Sequence, residues 1–267
     1  MCLILFSWQS DPERPLIITA NRDEFYHRES ARLASWPNSA IIAGRDLQAG
    51  GTWMGVTQSG RFAAVTNYRR PADMSITFPR SRGQLCQAFL EDHCSPEAFL
   101  QKIARYAMEI GGFNLLVGDH KQLAYASNRF KTQDNRDDYR YQAQIKPGIY
   151  GLSNQLLDSP WPKVETGKQS LAEKLQKNCG ESELLSILEN RDLADDSKLP
   201  DTGISLERER FLAPRFIASD KYGTRASTLL IRYTSGMQTI TEQSWQPQGE
   251  RSVKTHLCLP IDASHKD

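Results

Sequence analysis

The feature that most constrains this chain is Cys2, set directly behind Met1 at the head of an apolar run, Leu3-Ile4-Leu5-Phe6. Aminopeptidase trims an initiator Met when the next side chain is small. The mature chain would then begin with Cys2, a thiol and a free α-amine on one residue. An α-amine titrates near ~7.7–8.0 and a free thiol near ~8.5, so the amine can act as the base for its own nucleophile. The same cysteine also reads as a small apolar residue opening a buried strand. A second β-branched run, Leu16-Ile17-Ile18-Thr19, is good strand material and ends on Asn21-Arg22-Asp23-Glu24. Joined to the first through the turn at Gln9 to Arg14, it would pair antiparallel and return Asp23 toward the start of the first strand. A carboxylate there can hold an α-ammonium or orient a thiol. As an alternative, N-R-D-E is an ordinary polar turn with an Arg–Asp pair.

Bulk properties narrow the class. The 267 residues carry no linker or charge block, so one domain, 1–267, is expected. A formal net charge of +1 gives no footprint for nucleic acid, and no apolar run approaches the ~18 residues of a membrane span. The five cysteines form no C-x-x-C pair. That odd, scattered count reads as reduced thiols in a cytoplasmic protein rather than a disulfide frame. Zinc-ligand spacing, a P-loop and G-x-G-x-x-G are all missing, so neither a metal nor a nucleotide cofactor is expected.

Periodicity then sketches the elements. Residues 25–42 read as a loop, and 52–57 with 61–67 as a second hairpin ending on Asn67, whose amide could donate to an oxyanion or simply open the next turn. The segment 68–83 carries Arg69, Arg70, Arg80 and Arg82, which would suit an anionic ligand or form a solvated basic loop. Ser95-Pro96 caps a helix continuing to about Met108. Strands follow at Phe113–Val117 and Leu123–Ala126, and 131–146 reads as an exposed excursion. A short strand over 148–154 ends on Asn154. Helices are expected at 163–177 and from a Ser182 cap, and a last hairpin turns at Ser235-Gly236. Pattern alone supports an α+β class.

Met-Cys, the apolar strand and Asn21-Arg22-Asp23-Glu24 resemble the NRDE family, also called the transport and Golgi organisation 2 family. Further matches follow in order: Gly50-Gly51-Thr52-Trp53-Met54-Gly55, Val65-Thr66-Asn67, Ser81-Arg82-Gly83, Phe113-Asn114-Leu115, Tyr150-Gly151-Leu152-Ser153-Asn154, Leu199-Pro200-Asp201-Thr202-Gly203 and Tyr222-Gly223-Thr224-Arg225. The family in turn looks like a distant relative of cholylglycine-hydrolase-type N-terminal nucleophile (Ntn) hydrolases. The resemblance implies a four-layer αββα sandwich. It implies Cys2 as nucleophile with Arg22, Asp23, Asn67, Asn154 and Arg225 around it, and Asn21, Trp53, Arg69, Arg70 and Arg82 toward a ligand. The hydrolase pattern asks for arginine where this chain has Ala20, two residues before Arg22. Two functions follow from the resemblance. One is a carrier of a small anionic or amphipathic ligand, haem or an acyl-CoA-like compound, with haem as cargo rather than required cofactor. The other is an N-terminal-cysteine amidohydrolase cleaving a linear C–N amide bond.

Overall fold

The structure, a computed structural model, describes residues 2–262. Along the chain run β1 (Cys2–Trp8), β2 (Leu16–Phe25), β3 (Ser30–Ser35), β4 (Ile41–Asp46), β5 (Met54–Thr57) and β6 (Phe62–Asn67). Helices α1 (Gly83–Glu91) and α2 (Pro96–Ile103) follow, then β7 (Phe113–Gly118), β8 (Leu123–Lys131), β9 (Asp137–Gln142) and β10 (Gly148–Leu152). After α3 (Pro162–Gln176), α4 (Glu181–Ser186) and α5 (Leu206–Leu212), the chain closes with β11 (Tyr222–Arg232), β12 (Met237–Gln246) and β13 (Glu250–Pro260). Two compact units result. The first holds the chain through His27, Pro147–Ser153 and Leu157–Leu259; the second holds Arg28–Lys146, Asn154–Leu156 and the chain from Pro260. The class is α+β, with an antiparallel sheet at the centre of each unit.

In the first unit the strand order is β10-β1-β2-β11-β12-β13. β1 and β2 form the expected hairpin, in register from Cys2↔Arg22 to Trp8↔Leu16. Alternate residues Leu3, Leu5, Ile17, Leu229 and Ile231 share a core with Val164 and Leu171 of α3 and Leu184 and Leu185 of α4. A Cβ added at Gly167 would lie 2.7 Å from a Leu5 methyl, so glycine there lets α3 sit close over β1 without moving the Leu5 side chain. The helix after Cys179 is capped differently from expectation. Its N-cap is Gly180, whose N–H donates to the Glu183 carboxylate at 3.2 Å, and Ser182 lies inside the helix. β13 forms where the sequence was uninformative, an exposed strand at the sheet's edge.

In the second unit the order is β3-β4-β5-β6-β7-β8-β9, consecutive in the chain. Ile41, Ala43, Ala63, Val65, Leu115 and Val117 pack with Leu85, Phe89 and Leu90 of α1 and Phe99, Leu100 and Ile103 of α2. Gly50 turns the chain at φ +78°, and a Cβ on Gly51 would stand 2.5 Å from the Gly83 carbonyl carbon. The Gly-Gly of one motif and the Gly of Ser81-Arg82-Gly83 therefore meet backbone against backbone. Three expectations need correction here. Residues 25–42 hold β3 and the start of β4; β3 escapes a periodicity reading because only Leu33 of it is buried. The exposed 131–146 segment contains the edge strand β9, whose polar residues suit an edge that must not recruit other strands. The helix expected to reach Met108 breaks after Ile103, resuming as a 3₁₀ turn at Ala107–Glu109.

Among the described residues no helix is long and apolar enough to cross a membrane.

Candidate active site

The hairpin register decides the site. Residues directly opposite in an antiparallel pair point to the same face, with Cβ atoms about 4.5–5.5 Å apart. Cys2 faces Arg22, whereas Ala20 faces Ile4 two residues deeper. The arginine that looked misplaced in the sequence is thus the one beside the thiol. Arg22 is buried, and Cys2 is half-buried. Burial pushes the Cys2 thiol up, with Asp23 adding to the rise and Arg22 opposing it. The cation therefore softens but does not reverse the desolvation, contrary to what an adjacent arginine alone would predict. The Cys2 carbonyl is fixed by the Ser153 hydroxyl, which donates to it at 3.0 Å.

Asp23 projects to the opposite face of β2, the one that α3 and α4 cover. Its Oδ1 accepts from the Thr224 hydroxyl at 2.8 Å, and the Thr224 oxygen in turn accepts from the Ile217 N–H at 3.0 Å. Burial, the largest influence, pushes the Asp23 carboxyl up, against the pull of Lys163, the Thr224 hydrogen bond and Arg22. Lys163, on the first turn of α3, is itself buried and donates to the Leu212 carbonyl at 2.9 Å. In the sequence it marks only the start of the expected helix 163–177. The signal was its spacing: Lys163, Gly167 and Leu171 lie four apart on the stripe that faces inward.

Asn21 is committed within the unit. Its amide donates to the carbonyls of Leu188 (2.9 Å) and Arg215 (2.7 Å), and its oxygen accepts from the Ser227 hydroxyl (2.6 Å). It clamps β2 to the helical layer rather than presenting donors to a ligand. Arg225 owes its place to a β-bulge. Thr224 pairs with Asp23 and Ala226 with Arg22, leaving Arg225 as the extra residue, and bulges re-aim side chains in this way. Its guanidinium donates to the Phe25 carbonyl at 3.0 Å and lies 5.5 Å from the Tyr26 ring centre. Burial lowers its pKa, and the nearby charge of Arg22 lowers it further. Cys2, Arg22, Asp23 and Arg225 are thus gathered at one end of the β1–β2–β11 ribbon.

The remaining candidates lie in the second unit. The Asn154 amide donates to the Asn67 carbonyl at 2.9 Å, and the Arg69 N–H donates to the Asn154 carbonyl at 2.7 Å. Buried Asn114 steadies this corner. Its amide donates to the Thr66 hydroxyl and the Gln155 carbonyl, and it accepts from the Tyr125 hydroxyl. Asn114 lay in plain view in the Phe-Asn-Leu motif but carries support, not chemistry. Arg70 is drawn into ion pairs with Asp73 and Asp137; its charge is spent on carboxylates of its own unit. Arg82 makes a long 3.4 Å bond to the Gly112 carbonyl. Trp53 lies over Gly44, where a Cβ would stand 2.4 Å from its ring. Among the described residues, no group of His, Cys, Asp and Glu side chains is placed to hold a metal ion.

Solved structures carry the same fold. A Caenorhabditis elegans ortholog of N-acylethanolamine-hydrolyzing acid amidase superposes with a TM-score of 0.52 at 11% identity, covering 86% of this chain and 92% of its own. A C2A mutant of conjugated bile acid hydrolase from Clostridium perfringens gives 0.50 at 10% identity, covering 100% and 94%. The fold is that of the Ntn hydrolases. Within that class, the model of the transport and Golgi organisation 2 family matches residues 1–247, and the chain belongs to this family. A Bos taurus transport and Golgi organization protein 2 homolog is 32% identical over 270 residues, spanning 91% of this chain and 93% of that protein.

Proposed function

We propose that the chain is an amide-hydrolysing enzyme in which Cys2, freed of Met1, is the nucleophile. The observation that carries this reading is the register pairing of Cys2 with Arg22. That pairing supports a role for Arg22 at the thiol where the hydrolase pattern has its arginine at the Ala20 position. In the proposed cycle the Cys2 α-amine takes the thiol proton as sulfur attacks the carbonyl carbon of an acyl amide. The tetrahedral oxyanion collapses, the C–N bond breaks, and the amine departs with the proton. Water then attacks the thioester, releasing the carboxylic acid and restoring the thiol. Asp23 sits one residue beyond the position opposite Cys2, suited to orient that α-amine. The cysteines all carry free thiols, which fits a reducing, cytoplasmic setting.

One observation favours the other reading, a carrier of haem or an acyl-CoA-like ligand: burial pushes the Cys2 thiol up, a direction that suits a passive wall better than a nucleophile. A single set of measurements separates the two. Intact mass of the purified chain should show Met1 gone, and a screen of acyl amides should find turnover that falls by at least about 10³-fold in Cys2→Ala. Saturable binding of hemin or acyl-CoA without turnover of any amide would decide for the carrier.

A further inference from the structure

The second unit contains a cleft of about 470 Å³ between the β3–β4 turn, the β5–β6 turn and the end of α1. None of its lining residues belongs to the Cys2 centre. Asn38, Ser39, Gln58, Ser59 and His93 contribute polar edges, and Arg61 lines it from within the fold. Arg61 is only 8% exposed. Its guanidinium carbon lies over the Phe89 ring, 3.9 Å from the centroid, and its Nε donates to the Phe89 carbonyl at 3.0 Å. That carbonyl is in the last turn of α1, where the helix dipole favours a cation. This accounts for one nitrogen of three. Nη2 is shut off from solvent with no hydrogen-bond partner, and among the described residues no carboxylate makes a direct ion pair with Arg61, Asp119 and Asp92 acting on it only through space.

A buried guanidinium with no carboxylate in direct contact is a costly arrangement in a protein interior. The same unit shows the usual remedy. Arg129, 3% exposed at its side chain, meets Asp73 at 2.6 Å. At Arg61 the fold withholds that partner and leaves a cleft beside it. We infer that the cleft is a binding site for a small carboxylate-bearing ligand, whose carboxylate supplies the counter-ion of Arg61. A monoanion is favoured over phosphate by the other charges on the lining. Asp92 is already neutralised by Lys102 at 2.7 Å and by the N–H groups of His93 and Cys94. Glu91 and Asp262 are exposed on the same lining, and they would repel a second negative charge. They would attract an ammonium, so a ligand with an amine at one end and a carboxylate at the other fits the charge pattern best.

The test titrates the full chain with 4-aminobutyrate, butyrate and inorganic phosphate at constant ionic strength, followed by calorimetry or amide NMR shifts. The expected result is saturable binding of both carboxylates, with 4-aminobutyrate tighter than butyrate and phosphate weaker than either. Arg61→Gln should weaken the carboxylates at least tenfold. Gln58→Trp adds bulk to the cleft from an exposed position on its lining, leaving the Arg61 side chain in place, and should weaken them as much. If Arg61→Gln fails to fold, Gln58→Trp decides: loss of binding supports the site and retained binding overturns it. Absence of saturable carboxylate binding, affinity that survives Arg61→Gln in a folded chain, or phosphate binding tighter than the carboxylates would each overturn the inference.

Discussion

Two aspartates, one in each unit, are shifted in opposite directions. Asp73 in the second unit is burdened by burial, yet hydrogen bonds from Arg129 and Arg70 outweigh it and hold the carboxyl below the usual carboxylate range. Asp23 in the first unit is also pulled toward ionisation, by Lys163, Thr224 and Arg22, but there burial prevails and the carboxyl is pushed up. The difference is one of directness. Charge-assisted hydrogen bonds at 2.6 and 2.7 Å to two guanidinium groups stabilise a carboxylate far more than one hydroxyl and cations acting through space. Asp73 is part of the fold's mortar, whereas Asp23 is held in an environment that costs stability when charged. Such costs gather where a protein does chemistry.

Substitutions sharpen this contrast, beginning with the largest expected effect. Asp73→Asn should destabilise the chain by up to about 3–5 kcal/mol, because buried Arg129 loses its direct carboxylate partner and keeps only the longer 3.8 Å approach of Asp137; urea unfolding gives the number. Asp23→Asn should do the reverse in stability, changing it by under ~1 kcal/mol or raising it, since a costly buried charge disappears. On the proposed mechanism it should still cost at least about 10²-fold in amide turnover, by analogy with the loss of one positioned polar group. A large loss of stability in Asp23→Asn would erase the distinction between the two residues.

Acid titration offers a third probe. The folded pKa of Asp73 lies below its unfolded value near ~3.9. Its stabilisation is therefore complete above that pH and is lost as pH falls through the folded value. For Asp23 the folded pKa lies above the unfolded one. It binds its proton more tightly when folded, so its contribution is greatest in acid and is lost as pH rises from ~3.9 through the raised value. Unfolding midpoints of wild type minus each Asn variant should accordingly slope in opposite directions with pH. The smallest effect belongs to Arg70→Ala. Arg70 is about a third exposed and shares its carboxylates with Arg129 and Lys131, so a loss within ~1 kcal/mol is expected by thermal denaturation.

Part of this was legible beforehand because it depends on local pattern. A short polar turn between two apolar runs forces the β1–β2 hairpin, and the hairpin returns Arg22 and Asp23 to Cys2. Whether Ala20 or Arg22 would face the thiol was not legible, since a register is fixed by pairing along the whole strand. Arg225 was placed by a bulge against β2, an irregularity with no local signature. α1 went unanticipated because no side chain caps its first turn. The basic stretch 68–82 suggested an anion site, but nothing local reveals that Asp137, 67 residues further on, would pair with Arg70. Arg61, which no motif contained, became visible only through the partner it lacks.

The contact between Gly51 and Gly83 acts as a fixed pivot for α1. Two peptide planes in contact leave no rotamer to adjust, so the first turn of that helix cannot ride up or down over the sheet as a side-chain-cushioned helix can. An enlarged residue beneath α1 would have to be absorbed by tilting its far end, where Leu90 lines the Arg61 cleft. Volume changes in that core would thus be geared toward the cleft, making its width a readout of packing some two turns away.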